Sequence, residues 1–95
     1  MSSAVASRVD GLIAKNSIMV FSKTYCGYCG QAKKLLESEN KTYTSIELDV
    51  EPNGSEIQAY LKSKTGRRTV PNIWINQVNI GGCDDLFEYK KLGKL

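Results

Sequence analysis

The chain reads as an α/β domain built on a four-stranded mixed sheet flanked by helices on both faces. Three observations lead there. Along the whole length, apolar residues alternate between helical spacing and short strand-like runs. A first strand–helix–strand segment implies parallel strands joined by a right-handed crossover, whereas the last two strands lie either side of a two-residue gap, as in an antiparallel hairpin. And 95 residues, 41% hydrophobic and 24% charged, suit one domain over residues 1–95 with a modest core. Helices on both faces of one sheet bury such a pattern economically.

The elements follow in order. Val5, Val9, Leu12 and Ile13 fall at i, i+4, i+7 and i+8, so the opening is an amphipathic helix beginning after Ser2 or Ser3. "SIMVF", Ser17 to Phe21, is an apolar run with β-branched and aromatic members, the mark of a buried strand. From Gly27 onward, Ala32, Leu35 and Leu36 face inward on a second helix. "TYTSIELDV", Thr42 to Val50, alternates Thr44, Ile46 and Leu48 against Tyr43, Ser45 and Glu47 and predicts a strand. "EPNGSE" is a turn. Ile57, Tyr60 and Leu61 define a third helix, stopped at Gly66. "NIWIN" and "QVNIG" are short strands around an Asn76–Gln77 turn, and a last helix follows "GGCDD" with Leu86, Phe87 and Leu92 inward.

Composition excludes several functions. Thirteen basic and ten acidic side chains give +3, with the basic residues spread along the chain. Nucleic-acid binders concentrate Lys and Arg in a patch with stacking aromatics, so no nucleic-acid partner is expected. No apolar run nears the roughly 18 residues that span a bilayer, and, because the opening "MSSAVASRVDGLIAKN" lacks an uninterrupted apolar stretch, no secretory signal is expected. The absence of histidine removes His-dependent triads and imidazole acid–base catalysis. Three cysteines without an export signal point to reduced thiols in a reducing, cytoplasmic compartment, although an organelle reached by a cleaved transit peptide also fits.

Cys26 and Cys29, three apart, carry the functional question. A tetrahedral zinc site needs four ligands, and the chain offers this pair, the distant Cys83 and no histidine. A structural disulfide would close a loop too short to restrict the unfolded chain much. A passive pair of core thiols is a further alternative. Placement favours redox chemistry. Cys26 stands between a strand end and a helix start, where N–H groups and the macrodipole stabilise a thiolate, with Lys23 nearby. Cys29 lies one turn in, less exposed and within reach of the first sulfur. A Cys-x-x-Cys beside a β-α-β pattern resembles the thioredoxin-like motif of thiol–disulfide exchangers.

"TYCGYC" after a strand, "RTVPN" before a strand and "GGCDDL" before the last helix, in register over about Ser2 to Leu92, together resemble the glutaredoxin family. The resemblance implies a thioredoxin-like fold, with glutathione as reductant and co-substrate, and glutathionylated or disulfide-containing proteins as partners. It makes Cys26 the nucleophile and Cys29 the resolving thiol. Lys23 would lie near the glycyl carboxylate of glutathione, with Gln58 as a further contact and Tyr28 flanking the nucleophile. Thr69, Val70 and Pro71 would form one wall, Val70 pairing its backbone with the tripeptide and a cis bond preceding Pro71. Gly82, Cys83 and Asp84 would hold the γ-glutamyl end, Asp84 facing its ammonium. Arg68 ranks behind these as a carboxylate partner, and Cys83 reads as a small buried residue more than as a third redox thiol.

The charges agree with that mapping, since glutathione carries two carboxylates and one ammonium. One departure stands out: position 27 is Gly, where common dithiol glutaredoxins have Cys-Pro-Tyr-Cys. Glycine loosens the turn and lets other groups approach the sulfur. A second reading follows, in which Cys26 from each of two chains and two glutathione thiolates bridge a [2Fe–2S] cluster. The chain would then be a cluster carrier or sensor, dimeric when loaded and monomeric as an oxidoreductase.

Overall fold

A computed structural model describes residues 3–95. Eight elements succeed one another: α1 (Ser3–Lys15), β1 (Ile18–Ser22), α2 (Gly27–Ser38), β2 (Thr44–Glu47), α3 (Gly54–Thr65), β3 (Asn72–Ile75), β4 (Val78–Gly81) and α4 (Cys83–Lys91). Ser2, one expected helix start, lies outside the described residues. The sheet order is β2-β1-β3-β4, with β1 and β2 parallel and the other two pairings antiparallel. Among the described residues no helix is long and apolar enough to cross a membrane.

β1 is buried at every position, and its pleat explains why. Met19 and Phe21 point to one face, where Val5, Val9 and Ile13 of α1 and Ile57 and Leu61 of α3 close over them. Ile18 and Val20 point to the other, against Ala32, Leu35 and Leu36 of α2 and Leu86 of α4. A strand covered on both sides is apolar along most of its length, as Ile18 to Phe21 are, and Ser22 is the one polar residue of β1.

Loop chemistry sets the ends. Gly66 closes α3 in the left-handed conformation at φ 79°. Asn76 and Gln77 take φ of 50° and 70° between β3 and β4, the pair of positive angles a tight hairpin turn requires. The α3 helix begins inside "EPNGSE", and its first residue, Gly54, packs so closely on the Leu48 carbonyl that a methyl group would overlap it. The second strand is shorter than its alternation predicts. Leu48 is buried and donates its N–H to the Ser22 carbonyl at 2.8 Å, but the chain then turns and leaves Val50 exposed.

One inward face differs from expectation. Leu86 is fully buried, whereas Phe87 is 45% exposed and Leu92 60% exposed. Successive helical residues are turned by about 100°, so seating Cys83 and Leu86 on the sheet rotates Phe87 toward solvent. Leu92 is the C-cap, past the last helical turn.

Candidate active site

β1 delivers the chain to a short loop, residues 23–26, ahead of α2. Two contacts shape it: the Cys26 N–H donates to the Lys23 carbonyl at 3.2 Å, and Asp49, just past the end of β2, reaches back to Thr24. Its carboxylate accepts the Thr24 N–H at 3.0 Å and the Thr24 hydroxyl. These hydrogen bonds, with Lys23 adding attraction, hold the Asp49 carboxyl below the usual carboxylate range. The loop is thereby tied to the sheet.

Cys26 is the N-cap of α2, in extended backbone, and its sulfur accepts the Cys29 N–H at 3.4 Å. A sulfur in this position meets the unpaired amides of the first turn, which favour negative charge there. Its thiol also points at the Val70 carbonyl, 3.8 Å away. Cys26 is half-buried, and Cys29 and Cys83 are buried, all three free thiols. Burial pushes the Cys29 thiol up, opposed by the Ser22 hydroxyl and the Lys23 N–H, while Cys26 pushes it further up. Burial likewise raises the Cys83 thiol, helped by the charges of Asp84 and Cys26.

Beside the pair lies a cleft of about 160 Å³. Tyr28 forms one rim, Thr69, Val70 and Pro71 form a wall, and Gly82, Cys83 and Asp84 close the end at the start of α4. The Val70–Pro71 bond is cis, and Pro71 stands at the entrance of β3, where its missing N–H interrupts no ladder. Seven of the residues expected around a ligand thus meet in one place. Two do not line it. Gln58 donates from Nε2 to the Arg68 carbonyl at 2.6 Å, bracing the chain that leads into the wall. Lys23 holds its ammonium 5.9 Å from the centre of the Tyr25 ring. Arg68 turns away to a surface shared with Lys62.

Arg67 and Asp85 were not anticipated in the cleft, and both line it. Arg67 Nη1 pairs with Asp85 Oδ2 at 2.8 Å, and the same oxygen accepts the Gly82 N–H at 2.8 Å. That Gly82 hydrogen bond, then Arg67, lowers the Asp85 carboxyl. Asp85 is the third helical residue, the acidic position of a capping box; the "GGCDD" spacing carried that signal. Nothing in "GRRTVP" distinguishes which arginine would turn inward. Gly81, at φ 109°, sits so near Asp85 Oδ2 that a side chain there would collide with it.

An N-capping thiol, a buried partner one turn on and a cleft with both charge signs are the parts a thiol–disulfide exchanger needs. A model of the glutaredoxin family matches residues 18–80. The chain belongs to the glutaredoxin family. It is 49% identical over 89 residues to a glutaredoxin of Ricinus communis, covering 94% of this chain and 87% of that one. To Glutaredoxin-1 of Rhizophagus irregularis it is 46% identical over 93 residues, 98% of this chain and 92% of that protein. The crystal structure of the buckwheat glutaredoxin–glutathione complex matches with a TM-score of 0.94 at 47% identity, over 97% of this chain and 84% of that chain. The holo form of glutaredoxin C1 from Populus tremula x tremuloides matches at 0.92 and 40%, over 97% and 91%. Like these glutaredoxins, the chain has the thioredoxin-like fold.

Proposed function

We propose that this glutaredoxin is a glutathione-dependent thiol–disulfide oxidoreductase acting on glutathione mixed disulfides and protein disulfides. The observation that carries the reading is the N-cap position of the Cys26 sulfur, half-buried and 3.8 Å from the carbonyl of Val70, a wall residue of the charged cleft. The Cys26 thiolate attacks a glutathionylated substrate at the glutathione sulfur and releases the substrate thiolate, which takes up a proton. Glutathione, now on Cys26, is displaced by a second glutathione, giving glutathione disulfide and the starting thiolate. With a protein disulfide, Cys26 is left bonded to the substrate. Cys29, one turn away, then loses its proton and attacks Cys26, freeing the substrate thiol and leaving a Cys26–Cys29 disulfide. Two glutathione molecules reduce that bond.

The cleft suits the tripeptide. Val70 offers backbone beside the Cys26 sulfur, Asp84 offers an anion for the γ-glutamyl ammonium, and Arg67 and the α4 N-terminus favour carboxylates. The buckwheat relative in complex with glutathione supports the same ligand. Glutathione is abundant in reducing compartments, and the cytoplasm is proposed on that ground. A coupled assay with glutathione and a glutathionylated substrate tests the reading: wild-type turnover lost in Cys26→Ser supports it, and retained turnover removes it.

Gly27 favours the second reading. A side chain there would meet nothing within 4 Å, so space is open beside the half-buried Cys26. Among the described residues of one chain no three metal-ligating side chains gather. A [2Fe–2S] cluster would therefore take Cys26 from each of two chains and thiolates from two glutathiones. Reconstitution with iron, sulfide and glutathione tests it: a brown dimer that weakens in Gly27→Pro supports it, and a colourless monomer overturns it.

A further inference from the structure

Ser22 is the last residue of β1 and is fully buried, yet its hydroxyl has no hydrogen-bond partner. Buried hydroxyls are normally paired, because leaving one unpaired costs free energy. This one lies near enough to buried Cys29 to lower its thiol, as does the Lys23 N–H. In the reduced protein the hydroxyl makes no full hydrogen bond to the neutral thiol, which is a weak acceptor. A thiolate at the same place would be a far stronger one. The titratable group acting on Cys29 is Cys26. Once Cys26 is tied up in a disulfide with substrate, its charge is gone, and the donors around Cys29 face a sulfur that must lose a proton to react.

We propose that Ser22 is a catalytic residue of the resolving step, its hydroxyl donating to the Cys29 sulfur as that sulfur becomes a thiolate. The proposal rests on the dithiol mechanism above and gives it a donor that the sequence motif does not contain. Cys29 yields its proton to solvent, and the negative charge is held by Ser22 Oγ–H and the Lys23 N–H. The thiolate then attacks Cys26 Sγ, the Cys26–substrate bond breaks, and the substrate leaves as a thiolate. The pair is oxidised by two electrons as the substrate disulfide is reduced.

Rapid mixing of the reduced protein with an aromatic disulfide whose thiolate product is coloured separates the two attacks. The first equivalent of colour reports Cys26, and the second reports Cys29. Ser22→Ala should leave the first phase unchanged and slow the second about tenfold, the size expected for losing one hydrogen bond to a charged sulfur. Ser22→Thr, which restores a hydroxyl, should recover it. Because the alanine removes an unpaired polar group, the melting temperature should hold or rise; a packing role would lower it. Titration of Cys29 by NMR with isotope-labelled cysteine should move upward in Ser22→Ala, and this readout stands even if the protein reduces no glutathionylated substrate. An unchanged second phase, equal slowing of both phases, or an unmoved titration would overturn the proposal.

Discussion

The Cys26 sulfur accepts the Cys29 N–H at 3.4 Å, so two thiols on one helical turn occupy unlike settings. The first is half-exposed at a helix N-terminus; the second is 1% exposed behind it. Division of labour follows from that difference, because thiolate attack needs both access and a stabilised charge.

Alkylation should reveal it. Limited iodoacetamide at neutral pH is expected to modify Cys26 well before Cys29 or Cys83, whose thiols burial holds protonated. Peptide mass mapping after brief exposure checks this. Modification of Cys83 at the same rate would mean that the cleft floor is open to solvent.

Asp84 and Asp85 adjoin in sequence and should separate in experiment. Asp84→Asn should raise the glutathione Michaelis constant several-fold with the melting temperature unchanged, since Asp84 lines the cleft and makes no side-chain hydrogen bond or ion pair among the described residues. Asp85→Asn should lower stability by about 1 kcal/mol, the usual scale for a lost cap. Thermal melts beside glutathione saturation curves distinguish the two.

Asp85 also predicts an acid response. Its carboxyl is lowered in the folded protein by the Gly82 N–H and Arg67. The stability it contributes is therefore present above the unfolded aspartate value, about pH 4, and is lost as pH falls through the lower folded value. Melting temperatures of wild type and Asp85→Asn should converge as pH drops below about 4. Parallel curves would detach Asp85 from the cap.

How much was legible in the sequence depended on how many faces each element buries. β1 was plain because both its faces are covered, as was α2, whose Ala32, Leu35 and Leu36 sit on one stripe. α4 was ambiguous: Leu86 and Phe87 are adjacent and both apolar, and only the seating of Cys83 on the sheet decides which turns inward. The thiol pair and the 69–71 wall were readable from local motifs. Arg67 was not, because the loop after Gly66 chooses between neighbouring arginines through a partner 18 residues away. Ser22 was invisible because its place in the account depends on its nearness to buried Cys29, which no local motif marks.

The register of α4 has its own test. Leu86→Ala should cost about 2–5 kcal/mol by opening a cavity between α4 and the sheet, whereas Phe87→Ala should stay within about 0.5 kcal/mol. Denaturant unfolding of both variants measures the contrast. Equal losses would return Phe87 to the core.

The most direct measurement is the intact mass of Cys29→Ser after incubation with a glutathionylated peptide. With the resolving thiol gone, the protein is expected to carry one glutathione, located on Cys26 and removed by added glutathione. An unmodified protein, or glutathione found on Cys83 with Cys26 free, would contradict the assignment of Cys26 as the nucleophile.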